Sequence, residues 1–106
     1  MTPDESARIR EEAIKNLKII YDPEIPVNIY DLGLVYEVNV KEEGNLHVLM
    51  TLTAPNCPVA ESLPLEVKEK LEFITGVNRV EVEITFDPPW DRNMISEAAL
   101  LELGLL

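Results

Sequence analysis

The sequence is poor in the residues that form disulfides and hold metal ions. Its 106 residues include one cysteine, Cys57, and one histidine, His47. A single cysteine excludes an intramolecular disulfide, and it falls short of the roughly four ligands that a structural zinc ion or an iron–sulfur cluster needs. Any metal bound through Cys57 would therefore be held transiently or shared between chains.

Basic residues are also scarce. Nine Lys and Arg face twenty Asp and Glu, which gives a formal net charge of −11. Binding to nucleic acid or to an anionic membrane surface rests on clustered positive charge, so neither partner is expected. The acidity favours solubility first, and docking onto a basic partner is the sharper alternative.

Long apolar runs are missing as well. No stretch approaches the roughly 20 residues that span a bilayer, and residues 1–10 lack the apolar core of a signal peptide. Together with the free thiol, this predicts a cytoplasmic protein.

The length fits one domain, and we interpret residues 1–106 as a single domain. Thr2-Pro3-Asp4-Glu5 is typical of a helix start, and the helix is expected to stop before Pro23. Its apolar positions recur at helical spacing. They are Ile9, Ala13, Leu17 and Ile20.

The rest of the chain alternates between strand and helix patterns. Residues 34–41 and 46–53 predict a β-hairpin, 59–74 a helix, 80–86 a third strand and 94–103 a last short helix. The order α-β-β-α-β-α predicts a two-layer α+β fold, a small three-stranded sheet with helices packed on it. The third strand follows a crossover helix, so a mixed sheet is compatible, and the strand order is left open.

Residues 22–33 combine two prolines, two aspartates and a glycine with several apolar residues. This composition predicts an ordered loop packed on the core, and such loops often carry function. Asp31 in this loop could orient a partner, accept a proton or contact a metal. On the residues alone, capping the turn at Gly33 is the favoured role.

Cys57 lies between a strand end and a helix start, with Pro58 suited to the first helical position. A thiol at the helix N-cap would have its pKa lowered, which makes it a ready metal ligand or nucleophile. Pro64 opposes this, because a helix that begins only at Ser62 would leave the thiol on a preceding loop. The alternative role is a small buried apolar residue.

Other candidates are weaker. His47 is expected to face solvent in mid-strand, and no Cys–His nucleophilic pair can be argued. Thr51 and Thr53 are predicted to point outward near the thiol, either to hydrogen-bond there or simply as good strand residues. Trp90 is predicted to cover the sheet edge, with a partner anchor as the alternative.

Three separated segments resemble the metal–sulfur cluster assembly family, which includes SufT-like factors, the eukaryotic cytosolic iron–sulfur targeting subunit and the PaaD-like proteins of phenylacetyl-CoA oxygenase operons. The resemblance covers nearly the whole chain. It is carried by residues 22–36, 50–58 and 86–90, with Met94, Ser96 and Leu103-Gly104 in support.

The resemblance implies a helper role in maturing iron–sulfur proteins. Cys57 matches the family's reactive cysteine and Asp31 its acidic residue, and Thr53 would help to shape the site. It also implies a transient iron ion or cluster, and carrier or client proteins as partners. Asn56, where the family often has glycine, and Pro64 depart from the pattern without removing the thiol.

Three functional hypotheses follow. The first is a non-catalytic maturation factor that acts through Cys57. The second is an interaction adaptor, in which Trp90 or the 22–33 loop binds and the thiol is incidental. A thiol-based enzyme is disfavoured, because no Cys-x-x-Cys pair is present. A homodimer would bring two Cys57 thiols together, and the sequence holds no interface signature that decides this.

Overall fold

A three-stranded mixed sheet forms the frame of the molecule, and the computed structural model describes residues 2–23, 25–53 and 62–104. The strands are β1 (Val35–Val40), β2 (Asn45–Met50) and β3 (Arg79–Ile84), in the order β1-β2-β3. The β1–β2 pair is antiparallel and the β2–β3 pair is parallel, so β2 is central.

Three helices complete the fold: α1 (Pro3–Leu17), α2 (Ser62–Glu72) and α3 (Glu97–Glu102). The predicted α-β-β-α-β-α order and the α+β class are confirmed. Within the described part of the chain, no helix is long and apolar enough to cross a membrane.

Helices α1 and α2 pack side by side on one face of the sheet, α1 over β1 and α2 over β3. The apolar stripes of both helices are buried there, as the helical spacing predicted. Removing these side chains from water is the main source of the fold's stability. The buried set is Ile9, Ala13, Leu17, Leu63, Val67 and Leu71 from the helices, and Val38, Leu46, Val48, Met50 and Val80 from the sheet.

The hairpin connection is a 3₁₀ turn, Glu42–Gly44, in which Glu43 and Gly44 adopt φ values of 64° and 78°. A side chain at Gly44 would collide with the carbonyl oxygen of Gly76. The amide of Asn78 donates to the carbonyl of Gly44 at 2.9 Å. Glycine is therefore needed where the hairpin tip meets the segment that leads into β3.

Helix α1 begins as predicted and ends earlier. Thr2 Oγ1 accepts a hydrogen bond from the amide of Glu5 at 3.1 Å. The helix ends at Leu17, because the amide of Ile20 bonds the carbonyl of Leu17 in a tight turn and its own carbonyl accepts from Ile29 at 2.8 Å. Ile20 is buried as expected, but it packs from the loop and not from the helix.

The later elements are also shorter than the patterns predicted. β2 ends at Met50 and β3 at Ile84. The expected helix over 94–103 is replaced by a 3₁₀ turn, Arg92–Met94, followed by the six-residue α3. Ser96 separates them, because its hydroxyl caps α3 by accepting from the amide of Ala99 at 3.2 Å.

Candidate functional site

The loop after α1 is ordered and packed on the core, as predicted. Val27, Ile29 and Leu32 are fully buried. The carboxylate of Asp22 accepts a hydrogen bond from the amide of Ile25 at 2.9 Å, and the amide of Asp22 donates to the carbonyl of Val27 at 3.2 Å. These contacts hold the described residues of the loop, which form no helix or strand.

Asp31 and Asn28 hold each other at the end of this loop. The backbone amide of Asp31 donates to Asn28 Oδ1, and Asn28 Nδ2 donates to Asp31 Oδ2, both at 2.9 Å. Asn28 is buried and Asp31 is half-buried. The Asp31 carboxylate therefore has a fixed orientation. Among the described residues, its second oxygen, Oδ1, has no hydrogen-bond donor.

The segment after β3 is tied to the same loop. The amide of Ser96 donates to the carbonyl of Asp31 at 2.8 Å. The indole Nε1 of Trp90 donates to the carbonyl of Leu32 at 2.7 Å. Trp90 is half-buried against the core, in agreement with its predicted covering role. We call this contact between residues 30–36 and residues 87–96 the motif junction.

Gly33 is the point of closest approach in the motif junction. Its φ is +87°, a region that side chains rarely allow, and a Cβ there would collide with the carbonyl oxygen of Met94. The glycine is thus required twice, by its backbone angle and by the passing segment.

Thr51, which follows β2 and belongs to the 50–58 segment, also bonds to the motif junction. The amide of Thr51 donates to the carbonyl of Leu34 at 2.8 Å. Thr51 is completely buried, so the prediction that it points outward was wrong. The strand ends at Met50, and the alternation of faces ends with it. Thr53 is half-buried and is the last described residue before the 54–61 gap.

Tyr36 crosses the motif junction. Its hydroxyl donates to the carbonyl of Pro88 at 2.7 Å and lies 3.8 Å from Met94 Sδ. Burial raises the pKa of the Tyr36 hydroxyl; a hydrogen bond with Thr51 opposes this shift, and the negative charge of Asp91 adds to it. The phenol is therefore a neutral donor at physiological pH. Sequence reasoning gave Tyr36 no role, although a hydroxyl on an apolar strand face is a usable signal.

An open cleft of about 690 Å³ lies beside these contacts. Its lining combines apolar side chains with the carboxylates of Glu37 and Asp87, which suits a protein side chain better than a small anion. Its lining residues are Tyr30, Gly33, Val35, Tyr36, Glu37, Leu49, Asp87, Pro88 and Met94.

The structure describes only some of the predicted site residues. Cys57 lies outside the described residues, so both its predicted N-cap position and its predicted role as a metal ligand remain predictions. Asp31 and Thr53 are described. Asp31 precedes Leu34 by three residues, and Thr53 follows Thr51 by two. Because a chain spans at most about 3.6 Å per residue, both stay close to the contact between Leu34 and Thr51. Both therefore lie at the end of the sheet from which the chain continues to Cys57.

His47 lies on the face of the sheet opposite the helices, as predicted. Its side chain is less exposed than expected, at 13 %. Asn39 and Glu83 flank the ring on either side, which accounts for the shielding.

A comparison against protein families gives a match over most of the chain. The description "iron–sulfur cluster assembly protein" matches residues 10–84. The chain belongs to this family.

Two bacterial relatives carry informative names. The chain is 48 % identical over 103 residues to an "Fe-S protein maturation auxiliary factor" of Porphyromonas gingivalis, covering 97 % of this chain and 98 % of that one. It is 41 % identical over 87 residues to the "Fe-S protein maturation auxiliary factor SufT" of Staphylococcus aureus, covering 82 % and 99 %.

Solved structures share the fold. A domain of unknown function from Bacillus anthracis superposes with a TM-score of 0.89 at 33 % identity, over 99 % of this chain and 100 % of that one. A conserved hypothetical protein from Thermotoga maritima gives a TM-score of 0.76 at 39 % identity, over 90 % and 93 %.

Proposed function

We propose that this protein is a non-catalytic maturation factor for iron–sulfur proteins, and that it acts in the cytoplasm through Cys57. The observation that carries the proposal is the motif junction. Segments far apart in the chain, residues 30–36, 51–53 and 87–96, are tied together where β2 leads on to Cys57. The names of the relatives support the same role.

The groups near this end of the sheet suit transient handling of iron. Asp31 is oriented by Asn28 and keeps Oδ1 without a donor in the described part of the chain. A carboxylate and a thiolate are both ligands that iron accepts, and two ligands hold it far more weakly than a full set. In this proposal Cys57 contacts the iron or the client's cysteine ligand, and Asp31 and Thr53 shape the site.

Carrier and client iron–sulfur proteins are the proposed partners. The open cleft beside Tyr36 could receive a side chain of such a partner, with Glu37 and Asp87 selecting a basic one. The overall charge of −11 would favour encounter with a positively charged surface. A homodimer that pairs two Cys57 thiols is part of the same proposal.

An adaptor without metal contact is the second candidate, and the cleft is the observation that favours it. Trp90 is a weak anchor for such an adaptor, because its indole nitrogen is already bonded to the carbonyl of Leu32. The apolar residues Val27, Ile29 and Leu32 of the 22–33 loop are buried in the core, so they are not exposed to a partner. The cleft is therefore the surface that we propose for partner binding in this second candidate.

Anaerobic reconstitution with iron and sulfide separates the two candidates. Absorption and Mössbauer spectra would be compared for the wild type, Cys57→Ser and Glu69→Gln, a change on the exposed face of α2. We expect a thiolate–iron or cluster signal in the wild type and in Glu69→Gln that is lost in Cys57→Ser. Equal signals in all three proteins would overturn the role of the thiol, and no signal in any of them, with or without a client protein, would favour the adaptor.

A further inference from the structure

A row of polar side chains crosses the face of the sheet that the helices leave uncovered. Asn39 of β1 is paired with His47 of β2, and His47 is paired with Glu81 of β3. Glu83 lies on the same face, two residues further along β3, and its Oε1 is 3.0 Å from His47 Nε2. Two neighbouring strands, β2 and β3, therefore bring one imidazole and two carboxylates together, with Asn39 of β1 beside them.

The ligand atoms of His47, Glu81 and Glu83 all lie within 4.8 Å of one another. A zinc-class ion bound at about 2.0–2.2 Å needs ligand atoms roughly 3.4 Å apart. The His47–Glu83 pair, at 3.0 Å, is slightly closer than this spacing. Glu81 is exposed, so its side chain can turn inward by the remaining distance without disturbing the core.

We propose that His47, Glu81 and Glu83 form a binding site for a divalent transition-metal ion, separate from Cys57. One imidazole and two carboxylates suit zinc, manganese, iron(II) or cobalt(II) better than magnesium. Three protein ligands leave at least one position for water, as in sites that exchange their metal or a ligand.

Asn39 is placed to orient the His47 ring, as residues that hydrogen-bond to metal-binding histidines do. Asn39 lies 3.2 Å from His47 Nδ1, and Asn39 Nδ2 donates to Glu37 Oε1 at 3.0 Å. In this arrangement Asn39 donates to Nδ1, and Nε2 carries the proton that faces Glu83. Metal binding at Nε2 moves the ring proton to Nδ1, and a half-turn of the Asn39 amide then places Oδ1 to accept it.

The charges around the site are mixed, so we expect a cation to bind there with moderate affinity. Within the described residues, Glu81 pairs with no cation, and Glu83 pairs with His47 alone. Arg79 and Lys41 line a hollow of about 120 Å³ together with His47 and Glu81. Their positive charges oppose the metal and lower its affinity below what the two carboxylates alone would give.

The test is a calorimetric titration of the full chain with Zn²⁺, in a Cys57→Ala background so that the thiol contributes nothing. We expect one site per chain. His47→Gln should abolish it, and Glu81→Gln should weaken it by at least about 10-fold. Glu69→Gln, which removes an equal charge from the exposed face of α2, should leave the affinity unchanged.

Substitutions of Asn39 test whether its hydrogen bond orients the His47 ring. Asn39→Asp supplies a carboxylate to accept from Nδ1 and should tighten zinc binding, whereas Asn39→Leu should weaken it by about 10-fold. Both variants leave the three ligands in place. Asn39→Asp also adds a negative charge that attracts the ion, so the loss in Asn39→Leu is the change that reports the orientation of the ring.

Cobalt(II) absorption of the same Cys57→Ala protein identifies the ligands. We expect d–d bands that depend on His47. Unchanged binding in both His47→Gln and Glu81→Gln, or no binding in the Cys57→Ala protein, would overturn the proposal. Should His47→Gln fail to fold, the exposed Glu81→Gln decides alone. The titration is made without the Cys57 thiol, whereas the proposed function is tested through that thiol. A negative result in one test therefore leaves the other proposal standing.

Discussion

Asp31 shows how a short side chain acquires a fixed direction. Sequence patterns favoured a turn-capping role for it, and its backbone amide and carboxylate do take part in a local turn with Asn28. The partner was not predicted, because either residue of such a pair can cap alone. The fixed carboxylate is what makes Asp31 useful at a binding site.

Replacing Asn28 should therefore cost more than an ordinary surface change. Asn28→Ala removes an acceptor from the amide of Asp31 and a donor from its carboxylate, and we expect a loss of about 1–3 kcal/mol in the free energy of unfolding. Urea denaturation measures it. Asn93→Ala, at an exposed position, is the matched control and should stay within about 0.5 kcal/mol. Equal effects of the two variants would refute a structural role for the Asn28–Asp31 pair.

Tyr36 adds a pH-dependent contribution. Its pKa is raised above the usual value of about 10 by burial, so the folded protein holds the phenolic proton more tightly than the unfolded chain does. The contribution is present below about pH 10 and is lost as the pH rises through the folded pKa.

Tyr36→Phe should remove this dependence. It also deletes the hydrogen bond to the Pro88 carbonyl, so we expect a loss of about 1 kcal/mol at neutral pH. The difference in unfolding free energy between wild type and variant should shrink above about pH 10. A difference that stays constant through alkaline pH would contradict the shifted pKa.

At the scale of elements, periodicity located the three α-helices and three strands of the described residues but not their ends. Ile20 continues the apolar spacing of α1, yet its backbone bonds to Ile29 instead of continuing the helix. Thr51 continues the alternation of β2, yet it is buried, and its amide bonds the carbonyl of Leu34. Both errors arise where a long-range backbone contact replaces the local pattern, and a single sequence does not contain that contact.

The motif junction depends on Gly33, and Gly104 offers a matched comparison. Both glycines have positive φ values, +87° and +72°, but a Cβ at Gly104 meets nothing within 4 Å. Gly104→Ala should cost about 1–2 kcal/mol from the backbone angle alone. Gly33→Ala should cost roughly 1–3 kcal/mol more, because the chain of Met94 must move.

Thermal or urea unfolding of the two glycine variants measures the difference. NMR amide shifts of residues 87–96 should change in Gly33→Ala and not in Gly104→Ala. Equal destabilisation by the two substitutions would show that the contact with Met94 contributes nothing.

At the scale of the whole molecule, the class of fold and the family could be predicted from the sequence, because they rest on the order of elements and on three motifs. The contacts between these motifs could not be predicted in this way. Trp90 and Leu32 are joined through a side chain and a carbonyl 58 residues apart, and no local rule predicts such a pair. The row of His47 and Glu81 likewise required the parallel register of β2 and β3.

The role proposed for Cys57 predicts that function and stability separate. Cys57→Ser changes one atom, and we expect the free energy of unfolding to change by no more than about 1 kcal/mol. Denaturant unfolding measures this change. A larger loss would indicate that the thiol is a core residue and would remove the basis for its functional role.

The most direct test is rescue of an iron–sulfur enzyme in bacteria that lack their own maturation factor of this family. The activity of a [4Fe–4S] enzyme would be measured in cells that produce the wild type or Cys57→Ser at equal abundance. Our account predicts that the wild type restores the activity and that Cys57→Ser does not. Full rescue by Cys57→Ser would contradict the account and leave an adaptor that works without its thiol.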